Sequence, residues 1–146
     1  MNGKNLLTLG AWLNFGIALL HAIIIFVGAP GYAYFGAGEL APLAERGSLI
    51  PAAITAVLVL IFIAFGLYAL SGAGRFRRLP LLKTALIFIG TIFTLRGVTV
   101  IFEIIYLVRG VGYPLRYAVF SAVALIVGLF YLIGAAQRWN GLKIKQ

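Results

Sequence analysis

Hydrophobic residues dominate four long stretches of the chain, and short connections rich in glycine, proline and charge separate them. A bilayer core about 30 Å thick requires about 20 apolar residues at the helical rise of about 1.5 Å per residue. Each stretch reaches that length, so the pattern predicts an all-α transmembrane four-helix bundle. Little chain remains for a soluble domain, which predicts one integral membrane domain over residues 1–146. The predicted spans are residues 6–29, 49–71, 80–108 and 115–139.

The connections carry residues that typically begin or end helices. Gly28 and Pro30 follow the first apolar stretch, and Ser48 is a candidate cap for the second. Pro80 and Pro114 start the third and fourth stretches, where proline suits the first turn of a helix. The pattern therefore predicts abrupt helix ends and short loops.

The first connection, residues 30–48, is the longest. Leu40, Leu43 and Ala44 occur at helical spacing, with Gly47 as a stop signal. A short amphipathic segment of this kind is typical of helices that lie in the membrane interface. We therefore expect a short interfacial helix in this connection.

Composition supports a membrane protein and excludes several classes of chemistry. Of the 146 residues, 63% are hydrophobic and only 10% are charged. Cysteine is absent, which excludes thiol chemistry, and aspartate is absent, which excludes sites built on paired aspartates. His21 is the single histidine, so two histidines of one chain cannot ligate a haem. No cofactor and no metal site are predicted.

The distribution of basic residues predicts an orientation. Under the positive-inside rule, the basic regions are cytoplasmic, which places both termini there and the first connection, residues 30–48, and the third connection outside. The net charge of +9 then reflects topology and attraction to anionic lipid headgroups rather than nucleic-acid binding. Aromatic residues such as Tyr113 suit an outer interfacial belt. The basic regions contain Lys4; Arg75, Arg77, Arg78 and Lys83; and Arg138, Lys143 and Lys145.

The third apolar stretch contains two opposite charges, Arg96 and Glu103. They are seven residues apart and share a helix face with Thr99 between them. Two turns separate them by about 10 Å along the axis, so each is expected to need a partner on another helix. An arginine in mid-span costs about 3 kcal/mol on insertion scales. Such a cost makes the pair a candidate functional site.

Other polar residues occur at comparable depths in the remaining spans. In the predicted orientation they would enclose an outward-facing polar cavity, with two acidic residues near its mouth. The ligand-binding set is Arg96, Glu103, His21, Asn14, Thr99, Tyr117, Ser121, Glu39 and Glu45, with Thr55 nearby.

A structural role for the same residues is an equally valid interpretation. Arg96 and Glu103 would then form a satisfied polar network with Asn14, His21 and Tyr117 that sets helix register. His21 with Glu103 and Glu39 is a conceivable metal set, but their spacing does not require one. Small residues such as Ser121, Ala124 and Gly128 allow close helix packing, which fits a bundle core or a homo-oligomer equally well.

Two stretches, GAPGYAYFGAGE and GLYALSGAGRFRRLPLL, resemble an uncharacterised family of short bacterial inner-membrane proteins with four predicted helices. The resemblance covers about the middle half of the chain and implies a multi-pass protein of the bacterial inner membrane, with no assigned activity. Small multidrug transporters instead carry a glutamate in their first helix, where this chain has Asn14 and His21.

Three functions follow from these observations. The first is a non-enzymatic membrane protein that binds a small polar or anionic molecule, or a lipid headgroup, in the cavity; transport would require opening to the other side. The second is an accessory or assembly subunit of a larger membrane complex, with Arg96 and Glu103 structural. The third is an enzyme using His21 and Glu103 as an acid–base pair, although no nucleophile motif accompanies them.

Overall fold

The computed structural model describes residues 2–142 and contains helices but no β-strand over that range. Four helical spans are long and apolar enough to cross a membrane, which confirms the prediction of an all-α chain with four long apolar helices. The helices are α1 (Gly3–Val27), α2 (Ala29–Tyr34), α3 (Ala41–Glu45), α4 (Ile50–Ala73), α5 (Leu82–Val98), α6 (Val100–Val108) and α7 (Leu115–Gln137), with a 3₁₀ helix at Gly38–Leu40.

The long helices leave many large apolar side chains exposed. Phe26 in α1, Leu60 in α4 and Phe88 in α5 are each more than half exposed. Water-soluble proteins rarely expose apolar surface on this scale, whereas lipid acyl chains solvate it without cost. The exposed surface and the helix lengths together identify a multi-pass membrane protein.

The third span, Leu82–Val108, matches the predicted span over 80–108, and a single turn residue at Thr99 divides it into α5 and α6. The Thr99 hydroxyl donates to the carbonyl oxygen of Arg96 at 2.8 Å. A side-chain bond of this kind competes with the backbone hydrogen bonds of a helix. The backbone at Thr99 stays close to helical, at φ −58° and ψ −20°, so the interruption is local.

By its contacts the chain divides into two compact units. The first unit consists of the described residues of Met1–Trp12 and Leu67–Gln146, and the second unit is Leu13–Gly66. Helices α1 and α4 each contribute residues to both units. The organisation of residues 1–146 as one domain stays a prediction.

In the first unit, glycines bring α5 and α7 into close contact. A Cβ at Gly97 would overlap the backbone of Leu125, and a Cβ at Gly128 would overlap Thr94. The Thr94 hydroxyl donates to the carbonyl of Gly90 at 2.7 Å, so its hydrogen bond stays within α5. Because small residues permit such close approach, polar side chains on α5 can reach α7.

The connection between α4 and α5 and the end of α7 gather basic residues in the first unit. Lys83 lies over the ring of Trp139, with 4.2 Å from its ammonium nitrogen to the ring centroid. Arg78 donates to the carbonyl of Gly141 at 3.3 Å. Lys143 and Lys145, which contributed to the predicted orientation, lie outside the described residues.

In the second unit, the connection between α1 and α4 is more helical than its sequence indicates. A short helix, α3, precedes Gly47, and α2 precedes α3 with Pro30 in its first turn. The position of α3 in the membrane interface stays a prediction. Gly28 and Gly47 have positive φ angles of 74° and 75° at the two ends of the connection. Tyr32 and Ala41 of the connection form an apolar cluster with Ile24 of α1.

Candidate functional site

The candidate site of the first unit is centred on the hydroxyl of Ser121 in α7. Its Oγ lies 2.7 Å from Nη1 of Arg96 and 2.9 Å from Oε1 of Glu103. Thr99 Oγ1 lies 3.0 Å from the same hydroxyl. The structure therefore brings together four of the residues that the sequence selected, and α7 supplies the partner that Arg96 and Glu103 each required.

The protons of this cluster can be assigned without conflict. Nη1 of Arg96 has two hydrogens, and it donates to Thr99 Oγ1 at 2.8 Å and to Ser121 Oγ at 2.7 Å. Ser121 then donates its one hydrogen to Glu103, while Thr99 donates to the Arg96 carbonyl. Each hydroxyl thus accepts a hydrogen bond from the guanidinium and donates one to another oxygen.

Arg96 and Glu103 form no direct ion pair among residues 2–142, because the two hydroxyls lie between them. The opposite charges are nevertheless linked through a single oxygen, Ser121 Oγ, which is fully buried. Charge-assisted hydrogen bonds are about twice as strong as neutral ones. The bridge therefore offsets part of the cost of placing both charges in an apolar span.

Glu103 is the buried end of the cluster, with only 6% of its surface exposed. All of its hydrogen bonds reach Oε1, and one of them comes from the hydroxyl of Tyr113 at 3.3 Å. Oε2 is buried and has no hydrogen-bond partner within the described chain. A buried acceptor in that state typically receives a hydrogen bond from water or from a ligand.

Tyr113 lies in the connection between α6 and α7, outside the helical spans. Desolvation by burial raises the pKa of Tyr113 above its usual value of 10.0, and the negative charge of Glu103 raises it further. Tyr113 therefore remains a neutral hydrogen-bond donor at physiological pH. Its ring also contacts Tyr106 and Tyr117, at centroid distances of 5.8 and 5.6 Å.

Arg96 is the exposed end of the cluster and lies near the middle of the span Leu82–Val108. Only Nη1 of its guanidinium makes hydrogen bonds within residues 2–142, so Nε and Nη2 remain available as donors. Nε and Nη2 together form one of the edges through which arginine binds a carboxylate or phosphate with two parallel bonds.

Tyr117 lies next to the cluster without a hydrogen bond to it, and its predicted role in binding stays a prediction. Its ring contacts Tyr113, Phe120 and the guanidinium of Arg116, but its hydroxyl makes no hydrogen bond in the described chain. Tyr113, which the sequence assigned to an aromatic belt, donates to Glu103 instead. A tyrosine next to a helix start is typical of membrane interfaces, so its position alone could not reveal this contact.

The other predicted residues belong to the second unit. His21 lines a cavity there together with Thr55, and Asn14 is fully buried in α1. Glu39, in the 3₁₀ helix, and Glu45, at the end of α3, are both exposed. Their predicted roles in binding stay predictions.

The described residues contain no group of three or more histidine, aspartate or glutamate side chains that could hold a metal ion. The Arg96 cluster is instead suited to hydrogen bonding and charge recognition, because it combines a guanidinium, two hydroxyls and a carboxylate.

No family model matches the chain, and no curated protein or solved structure shows significant similarity to it. The fold and the cluster therefore define the class of the molecule by themselves. It is a multi-pass helical membrane protein with a charged, hydrogen-bonded cluster within one of its spans. The resemblance to short bacterial inner-membrane proteins stays a prediction.

Proposed function

We propose that this protein binds the oxyanion of a small polar molecule or of a lipid headgroup at Arg96. The observation that supports this most directly is that only one nitrogen of the Arg96 guanidinium makes hydrogen bonds in the described chain. Nη1 is held by Thr99 and Ser121, while the Nε and Nη2 edge has no partner within residues 2–142 and the side chain is exposed. A carboxylate or phosphate would accept two charge-assisted hydrogen bonds from that edge.

Glu103 complements Arg96 in this proposal. Its bonded oxygen, Oε1, holds Ser121 and thereby fixes the guanidinium. Its buried Oε2 has no partner in the described chain, so it is an acceptor for a donor group of the ligand after a small side-chain movement. An oxyanion with a neighbouring hydroxyl or ammonium group therefore suits the cluster better than a simple anion does.

The orientation proposed from the basic residues places the site in one half of the bilayer. With both termini in the cytoplasm of a bacterial cell, α6 would lie in the outer half of the inner membrane, and Glu103 with it. A ligand would then reach Arg96 from the outer half of the bilayer. Transport is a further proposal, since it requires a second opening toward the cytoplasm.

The first test is native mass spectrometry of the full chain released from gentle detergent, with wild type compared to Arg96→Ala. We expect wild type to retain a small mass that Arg96→Ala loses. Arg109→Ala is the matched control, because Arg109 is exposed at the end of α6 and its side chain makes no bond in the described chain. Arg109→Ala should retain the mass. The retained mass distinguishes a lipid from a small metabolite.

Thermal unfolding with added inorganic phosphate or with phosphatidylglycerol separates binding from folding. A specific ligand at 100 times its Kd stabilises the folded state by about 2.7 kcal/mol. We expect stabilisation in wild type and Arg109→Ala, and none in a folded Arg96→Ala or Arg96→Gln variant. Equal stabilisation of all variants, or equal ligand retention, would contradict the proposal.

A role as a subunit of a larger membrane complex is the second proposal, and the exposure of Arg96 also supports it. Leu95 and Ile92 beside it are exposed large apolar residues. A guanidinium that faces lipid is costly, whereas a carboxylate of a partner chain or of a second copy would satisfy the same edge. Crosslinking in native membranes tests this. Recovery of the chain as a lone monomer with a bound small molecule would exclude it.

A further inference from the structure

The second unit contains a cavity of about 90 Å³ that shares no lining residue with the Arg96 cluster. Its walls come from α1, from the connection between Ala29 and Leu40, and from α4. No lysine, arginine, aspartate or glutamate lines it. The lining residues are His21, Ile24, Tyr32, Phe35, Ala37, Leu40, Ile54, Thr55 and Leu58.

His21 presents a defined ring nitrogen in this cavity wall. Its Nδ1 lies 2.8 Å from the carbonyl oxygen of Ile17, one helical turn earlier. A carbonyl can only accept, so Nδ1 carries the hydrogen and Nε2 of the neutral ring carries the lone pair. The ring of Phe62 packs against the imidazole at a centroid distance of 4.9 Å. Nε2 makes no hydrogen bond within the described chain, which leaves it as an acceptor.

Tyr32 and Thr55 supply the other polar groups. Their hydroxyls lie 3.3 Å apart, and each residue is only 3% exposed. The Thr55 hydroxyl also lies 2.8 Å from the carbonyl of Pro51, so the two hydroxyls are engaged with each other and with the backbone. Nε2 of the neutral His21 ring is therefore the acceptor of the wall that makes no hydrogen bond within the described chain.

The walls and the volume restrict the occupant. A charged molecule is disfavoured, because the lining has no opposite charge to replace its hydration. Water alone is disfavoured as well, because it needs two to four polar partners and most of the lining is apolar. The volume of about 90 Å³ is several times the about 10–15 Å³ that one water molecule requires, so the cavity has room for a short alcohol.

We propose that this cavity is a second binding site, for a small neutral molecule with an apolar body and one hydroxyl group that donates to Nε2 of His21. The side chains of Ile24, Leu40 and Leu58 contact the apolar part of that molecule. This site does not depend on the Arg96 cluster, so either proposal can fail without the other.

Titration with the n-alkanols from ethanol to 1-hexanol, followed by NMR of the imidazole, tests the proposal on the full chain in detergent. His21 is the single histidine, so the ring gives one set of signals. We expect the Nδ1–H tautomer and a saturable shift of the Nε2 signal. Affinity should rise about fourfold per methylene until the cavity is full, and then stop rising.

Ala37→Leu fills the cavity without changing a polar group, and Leu58→Phe does so from α4 if the first variant does not fold. Both should abolish the saturable shift. Ala56→Leu is the matched control, since Ala56 is exposed on α4 and is not part of the lining. It should respond as wild type does.

Three outcomes would overturn the proposal. The first is an Nε2–H tautomer, since Nε2 would then be a donor. The second is a linear shift of equal size in all variants, which indicates partition into the detergent. The third is a saturable shift that the filled cavity retains. Loss of the shift in both filling variants, with an unchanged Ala56→Leu response, would establish the site.

Discussion

Ser121 in α7 donates a hydrogen bond of 2.9 Å to Oε1 of Glu103, a residue of α6 that is only 6% exposed. The same hydroxyl accepts from Arg96 at 2.7 Å. One oxygen thus joins the two charges of the third span to the fourth span. Removal of that oxygen should affect stability and binding together.

Ser121→Ala is expected to destabilise the protein by about 1–3 kcal/mol. The substitution leaves the buried Glu103 carboxylate and one Nη1 hydrogen of Arg96 without their shared partner, and an unsatisfied buried group carries its full desolvation cost. Chemical unfolding in detergent measures the change. Thr91→Ala is the control, because Thr91 is exposed on α5, and it should stay within about 0.5 kcal/mol of wild type. Equal effects of the two substitutions would show that the bridge carries no energy.

Gly97→Ala is expected to destabilise the contact between α5 and α7. A Cβ at Gly97 would overlap the backbone of Leu125, which cannot move aside as a side chain tip can. Overpacking of this kind costs about 1–3 kcal/mol, and it should also displace Arg96, the adjacent residue. Unfolding and ligand retention by native mass spectrometry measure both effects.

Gly16→Ala is the matched substitution for that test. Gly16 is a helical glycine in α1, and no neighbouring atom lies within 4 Å of the position that an alanine methyl group would take. Alanine there should be neutral, or stabilising by up to about 1 kcal/mol through helix propensity. A Gly97→Ala variant as stable as Gly16→Ala would disprove the close approach of α5 and α7.

Gly28→Ala is expected to destabilise the connection after α1. Gly28 has φ 74° and ψ −142°, a backbone conformation open only to glycine, and strain of this kind costs about 1–3 kcal/mol. Thermal unfolding gives the loss of stability. Gly38→Ala is the control within the same connection, because Gly38 has open space around it and no positive φ. The prediction fails if the two variants unfold at the same temperature.

Tyr113 should ionise at a higher pH than an unperturbed tyrosine. Its pKa in the folded chain is raised above 10.0, so the unfolded chain loses the phenolic proton first. The stability from neutral Tyr113 is therefore fully present below pH 10 and is lost as the pH rises through the folded pKa. The phenolate absorbance difference between wild type and Tyr113→Phe measures that ionisation. Glu103→Gln should bring it to lower pH, and an unchanged midpoint would contradict the Glu103 contact.

Part of the candidate site follows from spacing. Arg96, Thr99 and Glu103 were expected on one helix face, and Ser121 at a comparable depth, and the structure joins these four by hydrogen bonds. The residue pattern does not indicate that Tyr113, and not Tyr117, donates a hydrogen bond to Glu103. That contact depends on the path of the loop between α6 and α7, and a residue pattern does not specify loop geometry.

The sequence pattern does not indicate the turn residue at Thr99 or the helix α2, for local reasons. A single threonine in an apolar helix carries no strong break signal, since its hydroxyl can bond to the backbone with or without a break. Pro30 and Gly31 follow a helix end and indicate a stop, although proline equally suits the first turn of the next helix.

The sequence alone determined the class of the protein, the number of long helices and their approximate ends. It did so because an apolar stretch in lipid must satisfy its backbone internally, so length and hydrophobicity suffice to specify a spanning helix. Tertiary structure alone decided that Ser121 bridges Arg96 and Glu103 and that His21 lines a cavity. Both depend on helix rotation, and the Ser121 bridge depends also on the close approach that Gly97 permits, whereas hydropathy carries no information about either.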